Sequence, residues 1–288
     1  MFKGSYVALV TPFSNGKIEE KAFKKLIEWQ IKSGTDGIVP CGCTGEAATL
    51  SHEEQKRLMK ITVETVAGRV PVVAGTGSNC TEEAIQLTSY AKKAGCDGAL
   101  IITPYYNKPT AEGQYRHYAA IAKKVDIPIM LYNVPSRTGI SLAPSTVARL
   151  SKVDSIVAIK EAAGSVQQVV DIISLCDITV LSGDDSMTLP FMAIGAKGVV
   201  SVAANVVPAE VHDLVQAFMD GKLTESRKIH YHLMNIFKNL FIETNPLPVK
   251  TALAMMGLVK EEWRMPLCEM TKDNKAKLRE VLKKYKLV

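Results

Sequence analysis

Eight short apolar runs recur along this chain, and helical spacing follows each of them. The runs cover 5–11, 36–42, 70–77, 97–104, 127–133, 156–161, 178–185 and 197–202. They are continuously apolar rather than alternating, as strands of a parallel sheet covered on both faces must be. Between them, "EEKAFKKLIEWQIKSG" has helical apolar spacing and ends at Gly34 as a C-cap. "SHEEQKRLMKITVETVAG" opens with Ser51 and Glu54 at capping-box spacing. "TEEAIQLTSYAKKAG" places Thr81 as N-cap and Gly95 as terminator. Eight βα units, one every roughly 25–30 residues, match a (β/α)8 TIM barrel better than an open doubly wound sheet. The open alternative wants G-x-G-x-x-G after its first strand, and "GTGSNC" after the third run lacks the third glycine.

From Pro208 to Val288 the pattern is almost entirely helical. The expected organisation is a barrel over 1–207 with a C-terminal helical extension over 208–288. The net charge is +6, and much of it lies in the basic helix "KDNKAKLREVLKKYKLV". No nucleic-acid motif accompanies it, so nucleic acid is not an expected partner. Six scattered cysteines form no CxxC pair, which fits reduced thiols in a cytoplasmic protein. The N-terminal apolar run is too short for a signal or membrane segment, so no membrane partner is expected.

Active sites of such barrels form at the C-terminal ends of the strands. Those ends carry "CGCTGE", "GTGSN", "TPYYN", "YNVPSRTG", "KEAAG", "SGDD" and "SVAAN". Lys160 closes the apolar run "IVAI". Either it pairs with Glu161 or reaches water, or burial lowers its pKa and makes it an imine-forming nucleophile. Tyr132 is a buried structural phenol or a proton shuttle beside that amine. Arg137 sits in a proline-stiffened loop and either offers a planar fork for a carboxylate or is an exposed surface arginine. Thr44 either offers a hydroxyl and nearby backbone N–H groups for another carboxylate or is an ordinary N-cap or turn residue. Tyr105 and Tyr106 suit a loop tip or an interface. His230 and His232 are two apart in a helical pattern and share no face for a metal. Asp184 and Asp185 read as turn or cap residues, and no metal site is expected.

Taken together, "GCTGE", "TPYYNKP", "YNVPSRTG", "IKEAAG", "SGDD" and "ETNPLPVK" resemble, in order and spacing, the dihydrodipicolinate synthase family. The resemblance runs from about Phe2 to the C-terminus. It implies a class I aldolase-type barrel, without a cofactor, that condenses pyruvate with L-aspartate 4-semialdehyde. On the same resemblance Lys160 would form the Schiff base and Tyr132 would transfer protons. Thr44 would bind the pyruvate carboxylate, and Arg137 the semialdehyde carboxylate. Gly183 and Val200 would line the pyruvate pocket. Tyr106 would cross a dimer interface into the neighbouring site, and the assembly would be a homotetramer. N-acetylneuraminate lyases are similar at the lysine, the tyrosine and the "TGE" loop, but not at "VPSRTG".

Two positions depart from the family pattern. Cys43 replaces a threonine whose hydroxyl links two tyrosines, which puts a weaker thiol in the relay between Tyr132 and Tyr106. Ala163 stands where Thr or Ser is common. A lysine effector site is also implied at Ala48, His52, Asn79, Glu83 and Tyr105. Gln55 and Ala47 replace the histidine and serine of responsive relatives, so weak or moderate inhibition is expected. The competing readings are another pyruvate-dependent aldolase and a catalytically silent barrel that binds a small acid.

Overall fold

The computed structural model describes residues 2–288. Eight parallel strands form the barrel: β1 (Gly4–Ala8), β2 (Gly37–Val39), β3 (Val73–Gly75), β4 (Gly98–Ile102), β5 (Ile129–Asn133), β6 (Ile156–Glu161), β7 (Thr179–Ser182) and β8 (Gly198–Ser201). The ladder runs β2-β1-β8-β7-β6-β5-β4-β3. An Ile38–Val72 bridge and the Gly75 N–H to Pro40 carbonyl bond at 2.9 Å close it between β2 and β3. Every expected strand is present. Seven are shorter than their apolar runs, which extend past one or both ends of the ladder.

Strand alternation sorts the side chains into two layers. Tyr6, Val39, Val73, Leu100, Met130, Ala158, Leu181 and Val200 fill the barrel interior. Their neighbours Val7, Ile38, Ala99, Leu131, Ile159 and Val180 face the surrounding helices. Both faces are therefore apolar, which is why the runs do not alternate.

The capping box at Ser51 forms in both directions, at 3.2 and 2.9 Å. Gly95 ends its helix at φ +90, where a side chain would be strained. Two cap positions differ from expectation. Ser33 is the C-cap of helix Glu20–Lys32, with Gly34 at φ +89 one residue later. Cys80, not Thr81, precedes helix Thr81–Ala94. The Thr81 hydroxyl instead meets Nδ1 of His117 at 2.9 Å, so a tertiary contact displaced a local one.

Helix Pro208–Met219, placed in the extension by sequence, follows β8 and packs on β1. It completes the eighth βα unit, as every earlier strand is followed by helix. The helices Leu223–Asn239, Leu247–Met255 and Lys272–Lys284 come after it. Their apolar faces join the same buried cluster as Phe13, Phe23 and Ile27, so no second core divides the chain. Among the described residues no helix is long and apolar enough to cross a membrane.

Candidate active site

A cavity of about 720 Å³ opens at the C-terminal ends of the strands, with Lys160, Tyr132, Thr44, Arg137 and Gly183 in its wall. Lys160 and Tyr132 are register partners on β6 and β5. Each lies two residues beyond an interior side chain, Ala158 and Met130, so both point inward. The Lys160 amine stands over the Tyr132 ring, 4.3 Å from its centroid. Lys160 is only 4 % exposed. Burial pulls its pKa down to about 8, partly opposed by Cys43 and Asp185 and aided by Arg137. Gly183 makes room for the lysine stem, since a Cβ there would stand 2.9 Å from Cε of Lys160.

Glu161 does not pair with Lys160. As the next residue on β6 it faces the other layer, where Asn133 Nδ2 donates to both its oxygens at 3.0 Å and the Ala163 N–H donates at 2.8 Å. Burial pushes its carboxyl up to about 6. Asp185 takes hydrogen bonds from the Ser201 hydroxyl and the Val202 and Ala203 N–H groups. Asp184 caps a short turn through the Ser186 N–H at 3.3 Å. Asp184 thus has the turn and cap role expected of it, whereas the Asp185 carboxylate is buried and ties its loop to the end of β8 and the residues after it.

Thr44 is buried in the loop after β2. Its hydroxyl oxygen accepts a hydrogen bond from Asn245 Nδ2 at 2.9 Å. Arg137 lies on the short helix Pro135–Thr138 and donates from Nη2 to the Asn245 carbonyl at 2.9 Å. Cys43 lies against the Tyr132 phenol. Burial first, then that thiol, raises the Tyr132 pKa well above the ordinary phenol value.

Two expected site residues fall elsewhere. Val200 is fully buried inside the barrel, and Val202 is the residue after β8 that reaches the cavity wall. Tyr106 is 90 % exposed at φ +67, away from Lys160 of its own chain. Its neighbour Tyr105 is the one turned inward, with Cys43 among the groups raising its pKa, after burial and Glu83.

A second cavity, about 420 Å³, has Ala48, His52, Glu83 and Tyr105 in its wall, with Gln55 and Ala47 beside them. Glu83 accepts from the Ser78 hydroxyl at 2.6 Å and lies 4.0 Å from His52. Asn79 stands outside the lining, and its carbonyl accepts from Asn107 Nδ2 at 2.8 Å. Tyr132, Arg137, Thr244 and Asn245 border both cavities. Sequence reasoning assigned no role to Asn245, although the quoted "ETNPLPVK" contains it. That motif was the available signal.

A desolvated lysine in a barrel mouth, a phenol against it and a guanidinium at the rim define a Schiff-base-forming lyase of the class I aldolase type. The chain belongs to the dihydrodipicolinate synthetase family, whose family model matches residues 1–285. A curated relative, the 4-hydroxy-tetrahydrodipicolinate synthase of Thermodesulfovibrio yellowstonii, is 58 % identical over the whole of both chains. The crystal structure of dihydrodipicolinate synthase from Aquifex aeolicus superposes with a TM-score of 0.98 at 50 % identity, over 99 % of each chain. The chloride-inhibited dihydrodipicolinate synthase from Acinetobacter baumannii, complexed with pyruvate, gives 0.98 at 42 % identity, with all of each chain covered.

Proposed function

We propose that this protein condenses pyruvate with L-aspartate 4-semialdehyde to give 4-hydroxy-tetrahydrodipicolinate, a step toward diaminopimelate and lysine. The observation that carries the reading is Lys160: a buried amine, with its pKa drawn down to about 8, in a cavity that also holds Tyr132, Thr44 and Arg137.

Neutral Lys160 attacks the pyruvate ketone, and the carbinolamine loses water to form an imine. Tyr132 passes the protons, with Cys43 continuing the relay. The imine acidifies the methyl group, which loses a proton to give the enamine. The enamine carbon attacks the aldehyde, forming the new C–C bond. The substrate amine then adds to the imine carbon, closes the ring and releases Lys160. The imine nitrogen is the electron sink, so the mechanism calls on no cofactor. Thr44 holds the pyruvate carboxylate and Arg137 that of the semialdehyde. Gly183 and Val202 shape the pyruvate pocket.

The exposed Tyr106 serves a neighbouring copy in a homotetramer built as a dimer of dimers, in the cytoplasm. The smaller cavity takes L-lysine through Ala48, His52, Glu83 and Tyr105, with Asn79 at its edge. A coupled assay with an NADPH-linked reductase tests the reaction. Turnover with the semialdehyde, and none with N-acetylmannosamine or glyceraldehyde, is the expected result. Activity unchanged at saturating lysine would remove the effector role, and a monomer by light scattering would remove the tetramer.

A further inference from the structure

We propose that Asn245 is a positioning residue that aims the Thr44 hydroxyl, as a donor, at the carboxylate of a 2-oxo acid. The proposal rests on the pyruvate reading and deepens it.

A hydroxyl has one proton to give. Asn245 Nδ2 donates to the Thr44 oxygen at 2.9 Å, so the Thr44 proton must go elsewhere. Among the described residues no protein acceptor takes it, and Thr44 borders the cavity that holds Lys160. The backbone N–H groups of Thr44 and Gly45 also make no hydrogen bond among the described residues. Thr44 thus brings a hydroxyl proton without a protein acceptor to the wall of the cavity that holds Lys160, with two unpaired backbone N–H groups in the same loop, which is the chemistry of an anion seat. Without Asn245, Thr44 could turn its proton into the protein and present a lone pair to the anion.

The Asn245 backbone is held, while its side-chain Oδ1 is buried without a partner among the described residues. Its backbone carbonyl accepts from Arg137 at 2.9 Å. Five residues on, Lys250 reaches Glu46 at 2.5 Å, and both side chains are fully buried. Glu46 lies two residues after Thr44 and also accepts from the Arg264 N–H at 3.4 Å. The Arg264 guanidinium grips Glu54 at 2.6 and 2.7 Å and the Thr49 carbonyl at 3.0 Å. The Thr44 loop and the Asn245 segment are therefore joined at two points, Thr44 to Asn245 and Glu46 to Lys250.

The test uses borohydride trapping on Lys160, read by intact mass, across a concentration series of pyruvate and of methyl pyruvate. Asn245→Ala keeps the carbonyl that Arg137 holds and removes only the amide. Its half-saturating pyruvate should rise about tenfold, the weight of a charge-assisted hydrogen bond. Its half-saturating methyl pyruvate should stay within about twofold, because the ester has no carboxylate to lose. Asn245→Asp should shift pyruvate further, since a carboxylate there accepts the Thr44 proton and repels the substrate. In a Thr44→Val background, Asn245→Ala should add nothing.

Equal shifts for acid and ester would mean a merely structural role and overturn the proposal. Wild-type trapping with no shift in Asn245→Ala would overturn it and leave the pyruvate reading standing. A wild-type chain that traps no pyruvate would overturn both.

Discussion

Lys160 and Lys250 are both buried lysines with their amines over an aromatic ring. The distances are 4.3 Å to Tyr132 and 4.4 Å to Phe13. Burial lowers the pKa of both. Their difference is the partner. Lys250 meets the Glu46 carboxylate at 2.5 Å, whereas no carboxylate among the described residues lies within ion-pair distance of Lys160. Desolvation alone therefore does not make a nucleophile. It makes one where strand alternation turns the neighbouring acid to the opposite face, as β6 does with Glu161. Where a carboxylate meets the amine directly, as Glu46 meets Lys250, the same residue type becomes a fastening.

The sharpest way to break this comparison is to remove each amine. Lys160→Met should abolish borohydride-trappable pyruvate and cut turnover by at least about 10⁴-fold, with the thermal midpoint little changed. Trapped pyruvate in that variant would place the imine on another lysine and sink the contrast. Lys250→Met should leave Glu46 buried without its partner and destabilise the fold by about 3–5 kcal/mol, measured by denaturant unfolding. Adding Glu46→Gln should recover part of that loss. A Lys250→Met chain of normal stability would mean the pair fastens nothing.

A smaller effect sharpens the comparison through pH. An amine is reactive when neutral, and Lys160 titrates at about 8. The initial rate of imine formation should climb about tenfold per pH unit below that value and level off above it. An inflection near the ordinary lysine value would show that burial is not tuning the amine. The smallest effect concerns the relay: Cys43→Thr, restoring a stronger hydrogen-bonding group, should raise turnover about two- to fivefold. A clear drop would show that the thiol is an active preference of this chain.

Much of the fold was legible because it depends on pattern within a window. Each of the eight runs is apolar on both faces, and the capping box at Ser51 is spelled out over four residues. Lys160, Tyr132, Thr44 and Arg137 were legible as candidates because barrel chemistry sits at strand ends. What escaped depends on contacts far apart in sequence. The Thr44–Asn245 hydrogen bond spans 201 residues and the Glu46–Lys250 pair spans 204. The cap at Thr81 was misread because His117, from another helix, claims its hydroxyl. Val200 lies within β8 and fills the barrel interior, whereas Val202 follows the end of the strand and reaches the cavity wall, a difference that depends on where the ladder stops.

The span between Thr44 and Asn245 also sets a timetable. Protein synthesis runs from the amino terminus, so the loop carrying Thr44 leaves the ribosome about 200 residues before its partner. Lys160 emerges between them. A nascent chain can thus own its reactive amine, and even most of its barrel, without a finished seat for the acid that amine attacks. On the role proposed for Asn245, the last stretch of translation completes that seat, and a product cut short before residue 245 carries Lys160 beside an unaimed Thr44 hydroxyl.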